Sequence, residues 1–203
     1  MLIMLSGKQG SGKTTASNLL EKKLTKNGFI VKKYKFAQPL YEMHDGVIAV
    51  LEKYGIVRNI VKDGPLLQML GTEYGRNTID KDIWVKCAQN WYAQNKKDVC
   101  IIDDLRFKNE FMAFPEAFTV RLECNTDIRM ARCSNWREND KHPSEIDLDD
   151  WVIKFKVIVN SGIITTEEIV GAILERLLNN LGLEPGKELF AGRNKKGVEG
   201  TVQ

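Results

Sequence analysis

Histidine and cysteine are scarce in this chain of 203 residues, with two and four respectively. The cysteines, Cys87, Cys100, Cys124 and Cys133, are well separated and form neither a C-x-x-C pair nor a Cys/His metal spacing with His44 and His142. That argues against structural zinc and leaves reduced thiols in a cytoplasmic compartment as the expectation. Long apolar runs are missing too, so no stretch approaches the roughly 20 residues that span a bilayer. The short run over residues 2–5 has no charged leader and flows straight into a glycine-rich loop, so no signal peptide is expected there. An excess of one charge is also lacking: 30 basic against 27 acidic residues give a net charge of +3, too balanced to argue for a nucleic-acid surface. The remainder, 43% hydrophobic and 28% charged, is ordinary for one soluble globular domain.

What is present is concentrated at the start, MLIMLSGKQGSGKTT. Gly7, Gly12, Lys13 and Thr14 stand at the G-x-x-x-x-G-K-[ST] spacing, with Gly10 and Ser11 between them. Glycines let such a loop curl until its N–H groups point inward around a phosphate. The helix that follows offers its N-terminal amides and dipole to the anion. Lys13 can then reach the outer phosphates and the Thr14 hydroxyl can coordinate Mg²⁺, with Thr15 adding a second hydroxyl. Residues 2–5 read as a buried strand, and Ala16, Leu19, Leu20 and Leu24 have helical spacing. The chain is therefore expected to bind a nucleoside triphosphate, with ATP and Mg²⁺ as cofactors.

Further along, Asn27 and Gly28 close the first helix and residues 29–36 read as a second strand. Pro39 opens a helix carrying Leu40, Met43, Val47, Val50 and Leu51, and residues 56–63 read as a loop. One helix is expected from Pro65 through Leu66, Leu67, Met69, Leu70 and Tyr74, and another from Asp82 with pairs at Ile83/Trp84, Cys87/Ala88 and Trp91/Tyr92. These fill an insertion at about residues 37–97, far longer than one crossover helix and a natural place for a second substrate. Residues 99–102 form an apolar strand ending in Asp103 and Asp104, and residues 119–122 and 155–159 two more strands. Thr126 is expected to cap a short helix. Thr165 and Glu168 form a capping box for a last helix with Ile169, Val170, Ile173, Leu174, Leu177, Leu178 and Leu181. The domain is expected to end near residue 181, with residues 182–203 a loosely held tail. The pattern is α/β: a five-stranded parallel sheet in three layers with a phosphate loop after its first strand. Ligands in such sheets bind beyond the carboxyl ends of the strands.

A strand-ending aspartate suits Mg²⁺ or its water shell, and either Asp103 or Asp104 could serve, since alternation points them opposite ways. Arg129, Arg132 and Arg137 cluster between the last two strands as a candidate lid over about residues 126–146, the alternative being a solvated helix face. Arg76 and Arg106 stand where an acceptor phosphate could be gripped. A phosphomonoester has a second pKa of roughly 6, so it needs no general base at neutral pH. A hydroxyl acceptor would want a carboxylate, which Asp103 or Asp104 could supply. Phe36, Tyr74, Trp84 and Trp91 sit at core spacings, where packing and base stacking are both open.

Together SGKQGSGKTT, FAQPL at 36–40, LLQMLGTEYGR at 66–76, DIWV at 82–85, DDLRFKNE at 103–110 and HPSE at 142–145 resemble the bacteriophage-type deoxynucleoside monophosphate kinases. The resemblance spans about residues 1–181. It implies a P-loop kinase moving the γ-phosphate of ATP to a deoxynucleoside monophosphate. Carried onto this chain, it puts Phe36, Gln68, Thr72, Glu73, Arg76 and Trp84 around the acceptor, Arg106 on its phosphate, and Asp104 beside Arg106 in the D-x-R-aromatic block. His142 and Glu145 match the H-x-S-E block, with a structural lid contact as one reading. Small-molecule nucleotides are the expected partners, without nucleic acid or membrane, for a monomer or homodimer. Two other readings remain: a small-metabolite kinase such as a dephospho-coenzyme A kinase, and a P-loop switch or DNA-associated ATPase lacking an acceptor pocket.

Overall fold

The computed structural model describes residues 1–56, 63–134, 136 and 143–180. Strands β1 (Leu2–Gly7), β2 (Val31–Tyr34), β3 (Val99–Leu105), β4 (Phe118–Glu123) and β5 (Val157–Asn160) form one parallel sheet in the order β2-β3-β1-β4-β5. The helices are α1 (Lys13–Lys26), α2 (Gln38–Lys53), α3 (Gly64–Gln68), α4 (Ile83–Gln94), α5 (Lys108–Met112), α6 (Thr126–Arg132), α7 (Pro143–Ile146) and α8 (Thr166–Asn180). A π-helix over Met69–Ile79 continues α3, and a 3₁₀ turn covers Asp149–Lys154.

Strand alternation divides the core in two. Ile3, Leu5, Ile101, Val120 and Leu122 pack with Leu20 and Leu24 of α1 and with Ile169, Ile173 and Leu177 of α8. Leu2, Met4, Cys100 and Ile102 face the other way, toward Ala88 of α4 and Phe36, Phe114, Leu148 and Phe155. Each large side chain so buried contributes about 1.5–3 kcal/mol, which explains why β1 and β3 are apolar on both faces. Because β1 lies between β3 and β4, its carboxyl end opens the phosphate loop at the middle of the sheet, between the ends of its neighbours.

Several expectations are corrected. Strand β2 is shorter than residues 29–36, and Phe36 turns inward to the core instead. Strand β3 runs on through both aspartates. Its register against β1 steps from Met4↔Ile102 to Ser6↔Leu105, so Asp103 and Asp104 share a bulge opposite the single residue Leu5. The helix expected from Pro65 changes after Gln68 into the wider π form, in which Asp80 N–H donates to the Gly75 carbonyl at 3.0 Å. Gly75 lies so close to the Trp84 ring that a Cβ there would stand 2.6 Å from its Cζ2, and the indole N–H donates to the Gly71 carbonyl at 3.0 Å. Leu67, Leu70, Gly71 and Gly75 are buried as a result, while Met69 and Tyr74 are exposed.

Helix α2 packs on α3 and the π-helix; Val47 and Val50 are exposed and His44 is its buried side chain. Asn125, not Thr126, caps α6, its side chain accepting from the Asp127 amide at 2.9 Å. Phe155 precedes β5 and is buried. The box at α8 forms as expected: Glu168 Oε2 accepts from the Thr165 amide at 2.7 Å, and Thr165 Oγ1 accepts from the Glu168 amide at 3.2 Å. Residues 57–62 of the loop expected over 56–63, the tail, Leu181, Arg137 and His142 lie outside the described residues. Among the described residues no helix is long and apolar enough to cross a membrane.

Candidate active site

In the phosphate loop Gly7, Gly10 and Gly12 take φ values of 148°, 77° and 87°. At Gly10 a Cβ would stand 2.7 Å from the Arg129 carbonyl oxygen, so the loop lies tightly against α6. Helix α1 begins after Gly12 with no side-chain cap and no acidic residue in its first turn, which leaves its amides and dipole for an anion. Lys13 is buried. Its Nζ donates to the carbonyls of Gly7 at 2.6 Å and Lys8 at 2.9 Å. Burial, and then the charge of Arg106, pushes its ammonium down to about 7. Thr14 and Thr15 are exposed, and with Gly10, Gly12, Lys13 and Arg132 they line a cavity of about 450 Å³. Ser11 is enclosed in the loop; among the described residues its hydroxyl has no hydrogen-bond partner, and its carbonyl accepts from Ser161 Oγ at 2.7 Å.

Strand alternation sends the two aspartates to opposite faces, and the bulge they share keeps Leu105 on the face of Ile102. Asp103 turns to α1, where its Oδ2 accepts from Ser17 Oγ at 2.7 Å. Among the described residues its buried Oδ1 has no hydrogen bond, with Lys35 Nζ at 3.8 Å. Asp104 accepts from the amides of Phe36 at 2.8 Å and Ala37 at 3.1 Å, which fixes the turn into α2. Loss of water around that carboxyl raises it to about 6 against the pull of those amides.

A second cavity, of about 210 Å³, opens between this turn and the π-helix. Phe36, Arg76, Trp84, Asp104 and Arg106 line it together, with Tyr41, Phe107, Glu110 and Ser144. The Arg76 guanidinium stands over the Phe107 ring, 5.1 Å from its centroid. Glu110 accepts through Oε2 from the amides of Arg106 at 2.8 Å and Phe107 at 3.0 Å, and burial raises its carboxyl to about 8. Phe36 and Trp84 pack in the interior and also form cavity wall. Trp91 stacks on Tyr34 at 4.8 Å, a packing role.

Other expected site residues lie apart. Gln68, Thr72 and Glu73 do not line this cavity; Gln68 and Glu73 are exposed, and Glu73 Oε2 accepts from Asn77 Nδ2 at 3.3 Å. Arg129 and Arg132 have different surroundings. Arg129 is buried, donating to the carbonyls of Cys124 and Gln9 and to Thr126 Oγ1 and lying 5.2 Å from the Trp136 ring, so it braces the loop from behind. Arg132 donates to the Ser161 carbonyl at 2.9 Å and borders the loop cavity.

Sequence reasoning missed Tyr41, Phe107 and Glu110 as cavity wall. A glutamate three residues into a short helix after Phe107 is half of a capping-box pattern, a signal that could have singled out Glu110. It also missed that the buried Glu145 carboxylate reaches the phosphate loop, accepting from the Gln9 amide at 2.9 Å.

A family model described as "AAA domain" matches residues 3–151, well over half of the chain. A putative deoxynucleotide monophosphate kinase of Acanthamoeba polyphaga mimivirus is 28% identical over 198 residues, 86% of this chain and 94% of that one. A deoxynucleoside-5'-monophosphate kinase of Escherichia phage T5 is 27% identical over 81 residues, 38% of this chain and 32% of its own. These are relatives of the kind the sequence motifs resemble. Among solved structures, a shikimate kinase from Aquifex aeolicus vf5 matches with a TM-score of 0.53 at 19% identity, over 89% of this chain and 98% of that one, a likeness of fold. The chain belongs to the AAA domain family, and its fold and relatives are those of kinase enzymes.

Proposed function

We propose that this protein transfers the γ-phosphate of ATP to a deoxynucleoside 5'-monophosphate, with Mg²⁺, giving ADP and a deoxynucleoside diphosphate. The observation that carries the reading is the pair of cavities at the carboxyl ends of the strands, one walled by the phosphate loop and the other holding two arginines, Arg76 and Arg106. An acceptor phosphate oxygen attacks the γ-phosphorus, and the bond from that phosphorus to the bridging oxygen breaks with its electron pair leaving on ADP. Lys13 and the loop amides stabilise the charge on the donor, with Arg132 beside the triphosphate, while Arg76 and Arg106 hold the acceptor. The acceptor phosphate is already an anion at neutral pH, so no protein base is required. Asp104 and Glu110 instead shape the acceptor side through the amides they bind.

The residues present fit a magnesium ion. Thr14 offers an exposed hydroxyl and Asp103 a buried oxygen that among the described residues has no hydrogen bond and faces Lys35 at 3.8 Å, whereas both oxygens of Asp104 are taken by amides. Among the described residues no three His, Cys, Asp or Glu side chains gather as a metal cage, which suits an ion held largely by phosphate and water. When bound, the ion neutralises charge on the phosphates. The name of the mimivirus relative supports the deoxynucleotide as acceptor.

The test is ADP release with a panel of deoxynucleoside and ribonucleoside monophosphates and dephospho-coenzyme A. Turnover that requires a deoxynucleoside monophosphate supports the reading. Turnover led by dephospho-coenzyme A, or slow hydrolysis indifferent to any acceptor, overturns it.

A further inference from the structure

The segment 143–150 is a strap between the two cavities. At one end it holds the phosphate loop: Glu145 Oε2 accepts from the Gln9 amide at 2.9 Å, and Asp149 pairs with Lys8 Nζ at 2.9 Å. At the other it holds the start of α5: Asp147 Oδ2 accepts from the Lys108 amide at 2.7 Å, and Asp150 Oδ2 from Lys108 Nζ at 2.8 Å. Between these ends Glu145 Oε1 pairs with Arg106 Nη1, which also donates to the Ser144 carbonyl at 3.3 Å. One carboxylate thus touches both the donor loop and the arginine of the acceptor cavity.

We propose that Glu145 is a positioning residue for phosphoryl transfer, coupling the tip of the phosphate loop to Arg106 so that the guanidinium is aimed at the junction of donor and acceptor. This rests on the kinase reading above. Glu145 is 5% exposed and lines neither cavity, so it acts through Arg106 and not on substrate. Among the described residues the hydrogen bonds of the Arg106 guanidinium run through Nη1 alone, and Arg106 lines the smaller cavity. A guanidinium gripped on one edge can offer the other to an oxyanion in fixed orientation.

The chemistry calls for a carboxylate at this reach. Two acceptor oxygens meet two donors from different elements, an amide and a guanidinium. Glutamine would keep one contact and turn an N–H against the other donor, while aspartate is one methylene short of the span. The arginine also balances a charge whose burial alone would be costly.

A double-mutant cycle with Arg106 separates aiming from simple structural support. Wild-type enzyme first establishes transfer to a deoxynucleoside monophosphate; if it transfers nothing, the kinase reading fails before Glu145 is tested. Glu145→Gln should lower kcat/KM for the acceptor at least about tenfold while the ATP dissociation constant changes less than about threefold, and in an Arg106→Ala background it should add under about twofold. Losses that multiply in the double variant, unaltered acceptor kinetics, or tighter ATP binding with faster acceptor-free hydrolysis would each overturn the proposal; the last would make Glu145 a plug. Should Glu145→Gln fail to fold, Glu145→Asp, which keeps the charge and shortens the reach, is read by the same cycle.

Discussion

The Ser17 hydroxyl donates to Asp103 at 2.7 Å, joining the first turns of α1 to the carboxyl end of β3. The bond fixes one carboxylate oxygen and leaves the other, Oδ1, buried with Lys35 Nζ at 3.8 Å. Asp104, one residue on, is spent on the amides of Phe36 and Ala37. Asp103→Asn should therefore raise the Mg²⁺ concentration for half-maximal activity by about tenfold or more. Asp104→Asn should leave that requirement in place and weaken the acceptor instead. Magnesium titrations of the two variants check this, and the opposite pattern would exchange their roles.

Arg76 stands over Phe107 in the smaller cavity and belongs to no wall of the phosphate-loop cavity. Arg76→Ala should raise the acceptor KM by about ten- to a hundredfold with the KM for ATP little changed. Steady-state kinetics with each substrate varied in turn measure both. An effect confined to ATP would contradict the assignment.

Lys13 has an ammonium pKa of about 7 because it is buried next to Arg106. Triphosphate brings negative charge to it and favours the charged form, so ATP binding at about pH 8 should take up a proton. Calorimetry in two buffers of different ionisation enthalpy reads this directly. The uptake should vanish in Lys13→Met; uptake that persists would place the proton elsewhere.

Glu110 carries a carboxyl lifted by burial from 4.5 to about 8. A folded pKa above the unfolded one means the native state keeps a proton that the unfolded chain releases. Its contribution is then complete below about pH 4.5 and is lost as pH rises to about 8. Urea unfolding across this range should show stability falling with pH in the wild type, and falling less in Glu110→Gln. Equal slopes in the two proteins would contradict it.

The parts legible in the sequence were those governed by local rules. Gly7, Lys13 and Thr14 announce the phosphate loop by spacing alone, and the Thr165/Glu168 box marks the start of α8. Alternation in β3 foretold that Asp103 and Asp104 diverge, although the bulge opposite Leu5 follows from pairing with β1 and has no signature of its own. The π-helix was hidden because Met69, Leu70 and Tyr74 satisfy an ordinary helical period; the widening goes with the Gly75 backbone meeting Trp84, a contact between separate elements. Arg129 and Arg132 lie one turn apart, yet the buried one holds the loop and the other borders the phosphate-loop cavity, a division made by the fold around α6. Glu145 was readable as part of a block, but its link to Gln9 joins residues 136 positions apart.

The most direct measurement follows a radiolabelled γ-phosphate from ATP. With a deoxynucleoside monophosphate present, the label should move into the diphosphate as fast as ADP appears, and Lys13→Ala should slow that movement by about a thousandfold or more. Label emerging as inorganic phosphate at the same rate with or without an acceptor would contradict transfer between two nucleotides.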